Sequence, residues 1–162
     1  MSYLVRKINK AKWYQIDIEH DDNVSADAIT NCLKTTKNTL SVWKVENEED
    51  LDQAVLALVA NQDYLDTIDI VILEETSLLE YNLNIVASPG ETPVESLINA
   101  HRDISDLTFT KLGDVKNHIV ERIRNKRLKR YTVSSLKKLL QNSIEAGLLK
   151  KEDLKESIQQ KI

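Results

Sequence analysis

The chain has 162 residues, 41% of them hydrophobic, with three Gly, two Pro and one Cys. Gly and Pro are too scarce for a fibrous or disordered chain, and the apolar content supports a folded core in one domain or in a domain with an appended module. The formal charge of −4 hides an asymmetry: residues 1–110 hold 8 basic and 20 acidic side chains (net −12), and residues 111–162 hold 14 basic and 6 acidic (net +8).

A lone Cys32 has no partner for an internal disulfide, so a reducing, cytoplasmic setting is expected. Charges at Arg6 and Lys7 fall where a secretory leader needs its apolar stretch. No segment approaches the ~20 apolar residues of a membrane span, so no membrane association is expected.

Tyr3-Leu4-Val5 opens a short strand that the basic stretch Arg6 to Lys12 is expected to end. Ser25 then precedes Ala26, Ala28, Ile29, Cys32 and Leu33 at helical spacing, and predicts a helix over 25–34 with Ser25 as its N-cap. Leu40, Val42 and Trp43 or Val45 predict a strand. From Glu48 the stripe Leu51, Ala54, Val55, Leu58 and Val59 predicts an amphipathic helix, with Glu48, Glu49 and Asp50 near its positive end and Asn47 as cap. Thr67 to Leu73 is a nearly continuous β-branched run, the pattern of a strand buried on both faces.

Leu83 to Ala87 predicts another strand, ended by Ser88-Pro89-Gly90. Thr92-Pro93-Val94-Glu95 has the form of a capping box and predicts a helix to about Arg102. Leu112, Val115, Ile119 and Ile123 mark a helix starting near Gly113. A second helix carries Leu136, Leu139, Leu140 and Ile144 and ends near Gly147, and a last one carries Leu154, Ile158 and Ile162. The expected fold is α+β, or a small α/β: a mixed sheet of about four strands covered by helices in an acidic domain over 1–110. A basic all-helical module over 111–162 follows, packed on the first part or projecting from it.

Arg122, Arg124, Lys126, Arg127, Lys129 and Arg130 make six of nine consecutive residues cationic. Such a cluster either complements a helix C-terminus and the acidic part of the chain, or binds phosphates or an acidic partner. Only Tyr131 lies beside it, short of the interleaved aromatics of single-strand binders. Arg6 and Lys7, with Trp13 nearby, are a second candidate contact for a ligand or partner; a core or cation–π role for Trp13 is the plainer alternative.

No catalytic motif, metal-ligand spacing or cofactor signature is assembled. His101-Arg102-Asp103 matches the start of a kinase catalytic loop, but Thr108 stands where that loop needs Asn. His20-Asp21-Asp22, with Asp17 and Glu19, lacks the glycine and terminal Glu of a calcium loop, so a solvated acidic loop is expected.

The functional expectation is an interaction or regulatory protein whose acidic domain binds a protein partner and whose basic tail binds phosphates or an acidic surface. An antitoxin-like or defence-accessory role fits that layout by analogy alone. Nucleic-acid binding through 122–130 is the alternative, and an enzyme assembled from dispersed residues such as Arg6, His20, Asp21 and His101 the second. Association of acidic and basic ends of two copies is open.

Overall fold

The computed structural model describes residues 1–162. Its strands are β1 (Tyr3–Ile8), β2 (Leu40–Val45), β3 (Ile68–Glu74), β4 (Asn84–Ala87), β5 (His101–Ser105) and β6 (Leu128–Tyr131). Its helices are α1 (Lys10–Trp13), α2 (Ala26–Cys32), α3 (Leu51–Ala60), α4 (Glu75–Glu80), α5 (Phe109–Arg124), α6 (Val133–Glu145) and α7 (Glu156–Gln159). The strands form one sheet in the order β4-β5-β2-β1-β3-β6, and every neighbouring pair is antiparallel.

This α+β sheet therefore has six strands where about four were expected, and it is antiparallel throughout instead of mixed. The two additional strands are β5 and β6, and β1, expected as a short strand, runs longer. It continues through Arg6 and Lys7 because both its edges are paired, to β2 and to β3, and the ladder outweighs the polarity of those residues.

β5 replaces the end of the helix expected to reach Arg102. The Thr92 hydroxyl accepts from Val94 N–H at 3.4 Å, and only a 3₁₀ stretch, Glu95–Ala100, follows. His101 to Ser105 then pair with β2 on one side and β4 on the other, so long-range pairing overrides a local start signal. β6 lies inside the segment expected to be all-helical. α5 begins ahead of Gly113, capped by the Thr108 hydroxyl accepting from Lys111 N–H at 3.2 Å. It closes at Lys126, whose φ of 60° places it in the left-handed region, with Arg127 N–H bonded to the Arg122 carbonyl at 2.9 Å. That reversal sends Leu128 to Tyr131 back along β3, in register Ile68↔Tyr131 to Val71↔Leu128.

Other local signals hold. Ser25 Oγ accepts from Ala28 N–H at 3.2 Å and caps α2. Gly147, at φ 75°, ends α6 as Leu148 N–H bonds the Ser143 carbonyl at 3.0 Å. Asn47 makes no backbone cap; its amide donates to Asp50 Oδ2 at 3.2 Å, and a 3₁₀ turn over Glu48–Asp50 leads into α3.

The alternation of each strand divides the core in two. Val5, Trp43, Val45, Ile68, Ile70 and Ile72 face α3, α6 and α7; Leu4, Ile8, Leu40, Val42, Val71, Leu73 and Ile104 face α2 and α5. β3 feeds both clusters, which explains its unbroken apolar run. Each such side chain contributes about 1.5–3 kcal/mol by leaving water. No helix is long and apolar enough to cross a membrane.

Candidate functional site

The cations at 122–130 lie against the acidic part of their own chain. Arg122 is 5% exposed; Nε donates to the Ile72 carbonyl at 2.6 Å and Nη1 to Glu74 Oε1 at 2.5 Å. Arg124 bonds the carbonyls of Ile18 (2.7 Å) and Asp21 (3.1 Å) and the Asp22 carboxylate (3.0 Å). Lys126 pairs with Glu19 at 3.4 Å and Arg127 with Glu48 at 2.8 Å. Arg130 grips both oxygens of Asp69, at 2.7 and 3.0 Å, which holds its guanidinium above its ordinary pKa. Lys129 lies over the Tyr131 ring, 4.7 Å from its centroid. Exposed pairs of this kind are individually weak, but each carboxylate also repels an approaching phosphate. The cluster thus meets an acidic surface within the same molecule, and Arg122 is too buried to meet anything else.

Arg6, Lys7 and Arg130 come together in an open cleft of about 590 Å³ with Asn9, Cys32 and Asp69. Its two guanidiniums are occupied. Arg6 Nε and Nη2 donate to the Cys32 carbonyl at 3.1 and 2.7 Å, and Nη1 to the Ser41 carbonyl at 2.6 Å. Burial lowers the Arg6 pKa to about 10, partly offset by Cys32, and the group stays cationic at neutral pH. Trp13 does not join this cleft: it is 1% exposed, in the core on the α2 face, and its Nε1 has no partner. As a ligand or partner contact it is therefore corrected to a core residue.

The residues weighed for a dispersed catalytic site do not converge. Arg6 lines one cleft and His101 another, while His20 is exposed and bonded to Asp17 at 2.9 Å. The acidic loop around Asp21 and Asp22 receives Arg124.

A different arrangement stands at the opposite end of the sheet. β4 is an outer strand paired only to β5, and its sequence Asn-Ile-Val-Ala carries no charge. Val86 is 44% exposed, and Phe109, at the start of α5, is 93% exposed. Asn84 Nδ2 donates to Asp106 Oδ2 at 3.0 Å, which ties β4 to the turn leading into α5. Residues 75–110 contain six carboxylates and one cation, Arg102. Glu80, Glu91, Glu95, Asp103 and Asp106 form no ion pair. Arg102 donates instead to the carbonyls of Asn99 and His101. Glu75 is the exception. Burial would raise its pKa, but bonds from Ser2 and Lys44 more than reverse that and leave it lowered.

Strand register gathers one set of side chains on the α3 face. Ser41 lies opposite Asp103, Trp43 opposite His101, and Val86 opposite Asp103. With Asn61, Ser88 and Glu91 they border a cleft of about 400 Å³ or, for Val86, lie beside it. His101, 8% exposed, stands edge-on to Trp43 at 5.1 Å between centroids. Ser88 Oγ is 2.9 Å from His101 Nδ1 and donates to Asp103 Oδ2 at 2.8 Å. This differs from an acyl-transfer triad, in which the serine proton points to the histidine and nearby N–H groups are open to an oxyanion. Here the serine proton goes to Asp103, Ser88 N–H bonds the His101 carbonyl, Gly90 N–H bonds the Ile98 carbonyl, and residue 89 is proline.

The sequence reading misses this site because it ends a helix near Arg102, over the start of β5, and assigns no strand to the residues after it. The period-two order His101, Asp103 on one face and Arg102, Ile104 on the other was the available signal. Comparison of the chain with protein-family models, with curated proteins and with solved structures gave no match.

Proposed function

We propose that this chain is an interaction protein that takes an extended, cationic segment of a protein partner along the open edge of β4. The observation that carries this reading is the combination of an uncharged outer strand with the unpaired carboxylates around it. An open edge offers a row of backbone donors and acceptors for strand addition, and natural sheets usually blunt such an edge with charge or cover. The surrounding Glu80, Glu91, Asp103 and Asp106 select a cationic segment and oppose pairing of two such edges from two copies. Val86 supplies exposed apolar contact beside the polar ladder.

The test uses two blocked peptides, acetyl-(Val-Arg)₃-amide and acetyl-(Val-Glu)₃-amide, titrated into isotopically labelled protein. Amide shifts concentrated at residues 84–87 with the arginine peptide, absent with the glutamate peptide and lost in Val86→Lys, are expected. Shifts centred on 122–131, equal response to both peptides, or concentration-dependent self-association through residues 84–87 without peptide would each overturn the reading.

A further inference from the structure

Resting on that reading, we infer that the cleft bordered by Ser88, Glu91, His101 and Asp103 is a specificity pocket for one arginine or lysine head group of the docked segment. The chemistry of its lining is one-sided. No lysine or arginine lines the cleft, while two carboxylates, Glu91 and Asp103, do. Neither carboxylate forms an ion pair within the chain.

His101 supplies an independent sign of what is wanted there. Its Nδ1 lies 3.2 Å from the Ser88 carbonyl oxygen, which can only accept, so Nδ1 carries the ring hydrogen. With the hydrogen on Nδ1, the other ring nitrogen, Nε2, makes no hydrogen bond within the chain and, unlike Trp13 Nε1 and His118 Nδ1, is not closed off from solvent. Ser88 adds to this polarity, because its hydroxyl hydrogen is already given to Asp103. Unoccupied acceptors without matching donors call for a group that is all donor. Guanidinium and ammonium are the side-chain heads of that kind.

The register shows how such a head arrives from β4. Val86 lies directly opposite Asp103 on the same sheet face, so a strand added outside β4 stands about two strand spacings, roughly 10 Å, from β5. A long cationic side chain from it can lay its methylene stem across exposed Val86 and place its head at Asp103 and Glu91. The Trp43 ring borders the same cleft and offers an aromatic surface to a planar cation.

The test compares acetyl-(Val-Arg)₃-amide with the same peptide carrying citrulline, a neutral near-isostere, in place of arginine. Binding to the full chain is followed by tryptophan emission, in which Trp43 lies at the cleft and Trp13 is buried on the other face. About tenfold tighter binding of the arginine peptide is expected, with the preference falling to near unity in Asp103→Asn and shrinking in Glu91→Gln. Circular dichroism checks that both variants fold, and Glu91→Gln keeps the test valid if Asp103→Asn loosens the Ser88 contact. If both peptides shift residues 84–87 but the preference survives in both variants, the pocket is overturned and edge docking stands. If neither peptide binds at 84–87, edge docking falls and the pocket with it.

Discussion

β6 and β4 are both four-residue strands with one paired edge and one open edge, and they differ in what surrounds that edge. β6 carries Lys129 and Arg130, and Arg130 reaches across to clasp Asp69 on β3. A further chain approaching β6 would have to displace charge from water, so the edge resists pairing. β4 carries no charge, and its neighbouring carboxylates are unpaired. The difference follows the pairing of the long-range charges. Cations from the last third of the chain neutralise acids near β6 and α5, and the carboxylates left unpaired include Glu91, Asp103 and Asp106 near β4 and β5. Matching of opposites within the molecule thus decides where the molecule has charge to offer another.

The strongest way to break this comparison is to remove the buried pairing at the β3–β6 end. Arg122→Ala removes the cation and donor from Glu74 Oε1 and the donor from the Ile72 carbonyl, leaving the Glu74 carboxylate only its bond from Ser77, and about 3–5 kcal/mol of unfolding free energy should disappear in a urea titration. A loss below about 1 kcal/mol would show that this end does not depend on its internal charge pairing.

At the β4 end the matching experiment is steric. A Cβ on Gly90 would meet the Trp43 ring at 2.3 Å and His101 Cβ at 2.8 Å, so the 88–91 loop must move. Gly90→Ala should cost about 1–3 kcal/mol, and altered tryptophan emission should report the disturbed Trp43 environment. Unchanged stability and emission would mean that the loop does not hold the cleft in shape.

The smallest effect at neutral pH is one of protonation. Buried His118 accepts from Glu74 N–H through Nε2 at 3.1 Å, while its Nδ1 has no partner. Burial lowers its pKa from 6.5, Glu121 opposes that shift, and Arg122 adds to it. Above 6.5 neither folded nor unfolded chain is protonated here and the group has no pH-linked effect. As pH falls below 6.5 the unfolded chain takes up the proton first, so stability declines until the folded-state pKa is passed. Chemical denaturation at a series of pH values should show that decline, and His118→Gln should reduce it.

The sequence was informative for four locally set features, though not for the Asn47 cap or the start of α5. The Ser25 cap, the stripe Leu51 to Val59, the Gly147 stop and the doubly buried run at Ile68 to Leu73 depend on neighbours a few residues away, and all four are found. It misled where distant partners decide. Thr92-Pro93-Val94-Glu95 resembles a helix start, yet pairing to β2 and β4 draws His101 to Ser105 into the sheet. The basic run does hold a helix end, at Arg124, but nothing local announces that Lys126 takes the left-handed conformation and returns Leu128 to Tyr131 to the sheet. The candidate cleft was hidden for the same reason, since Ser41, Ser88 and Asp103 become neighbours only through strand register. The total charge on each side of Lys111 was legible, but the identity of each ion pair was not.

The position of β6 in the chain has a consequence during synthesis. Strands β1 to β5 have all been synthesised before Leu128 is added, yet β3, the most apolar strand, still lacks one neighbour. Until Arg127 passes the left-handed turn at Lys126, a growing chain carries Ile68 to Leu73 with one backbone edge open and without α6 over one of its faces. Such a strand is a template for pairing with another nascent copy. The segment after Arg124 therefore acts as a built-in escort for the strands made before it, closing the exposed edge of β3 with a guarded strand.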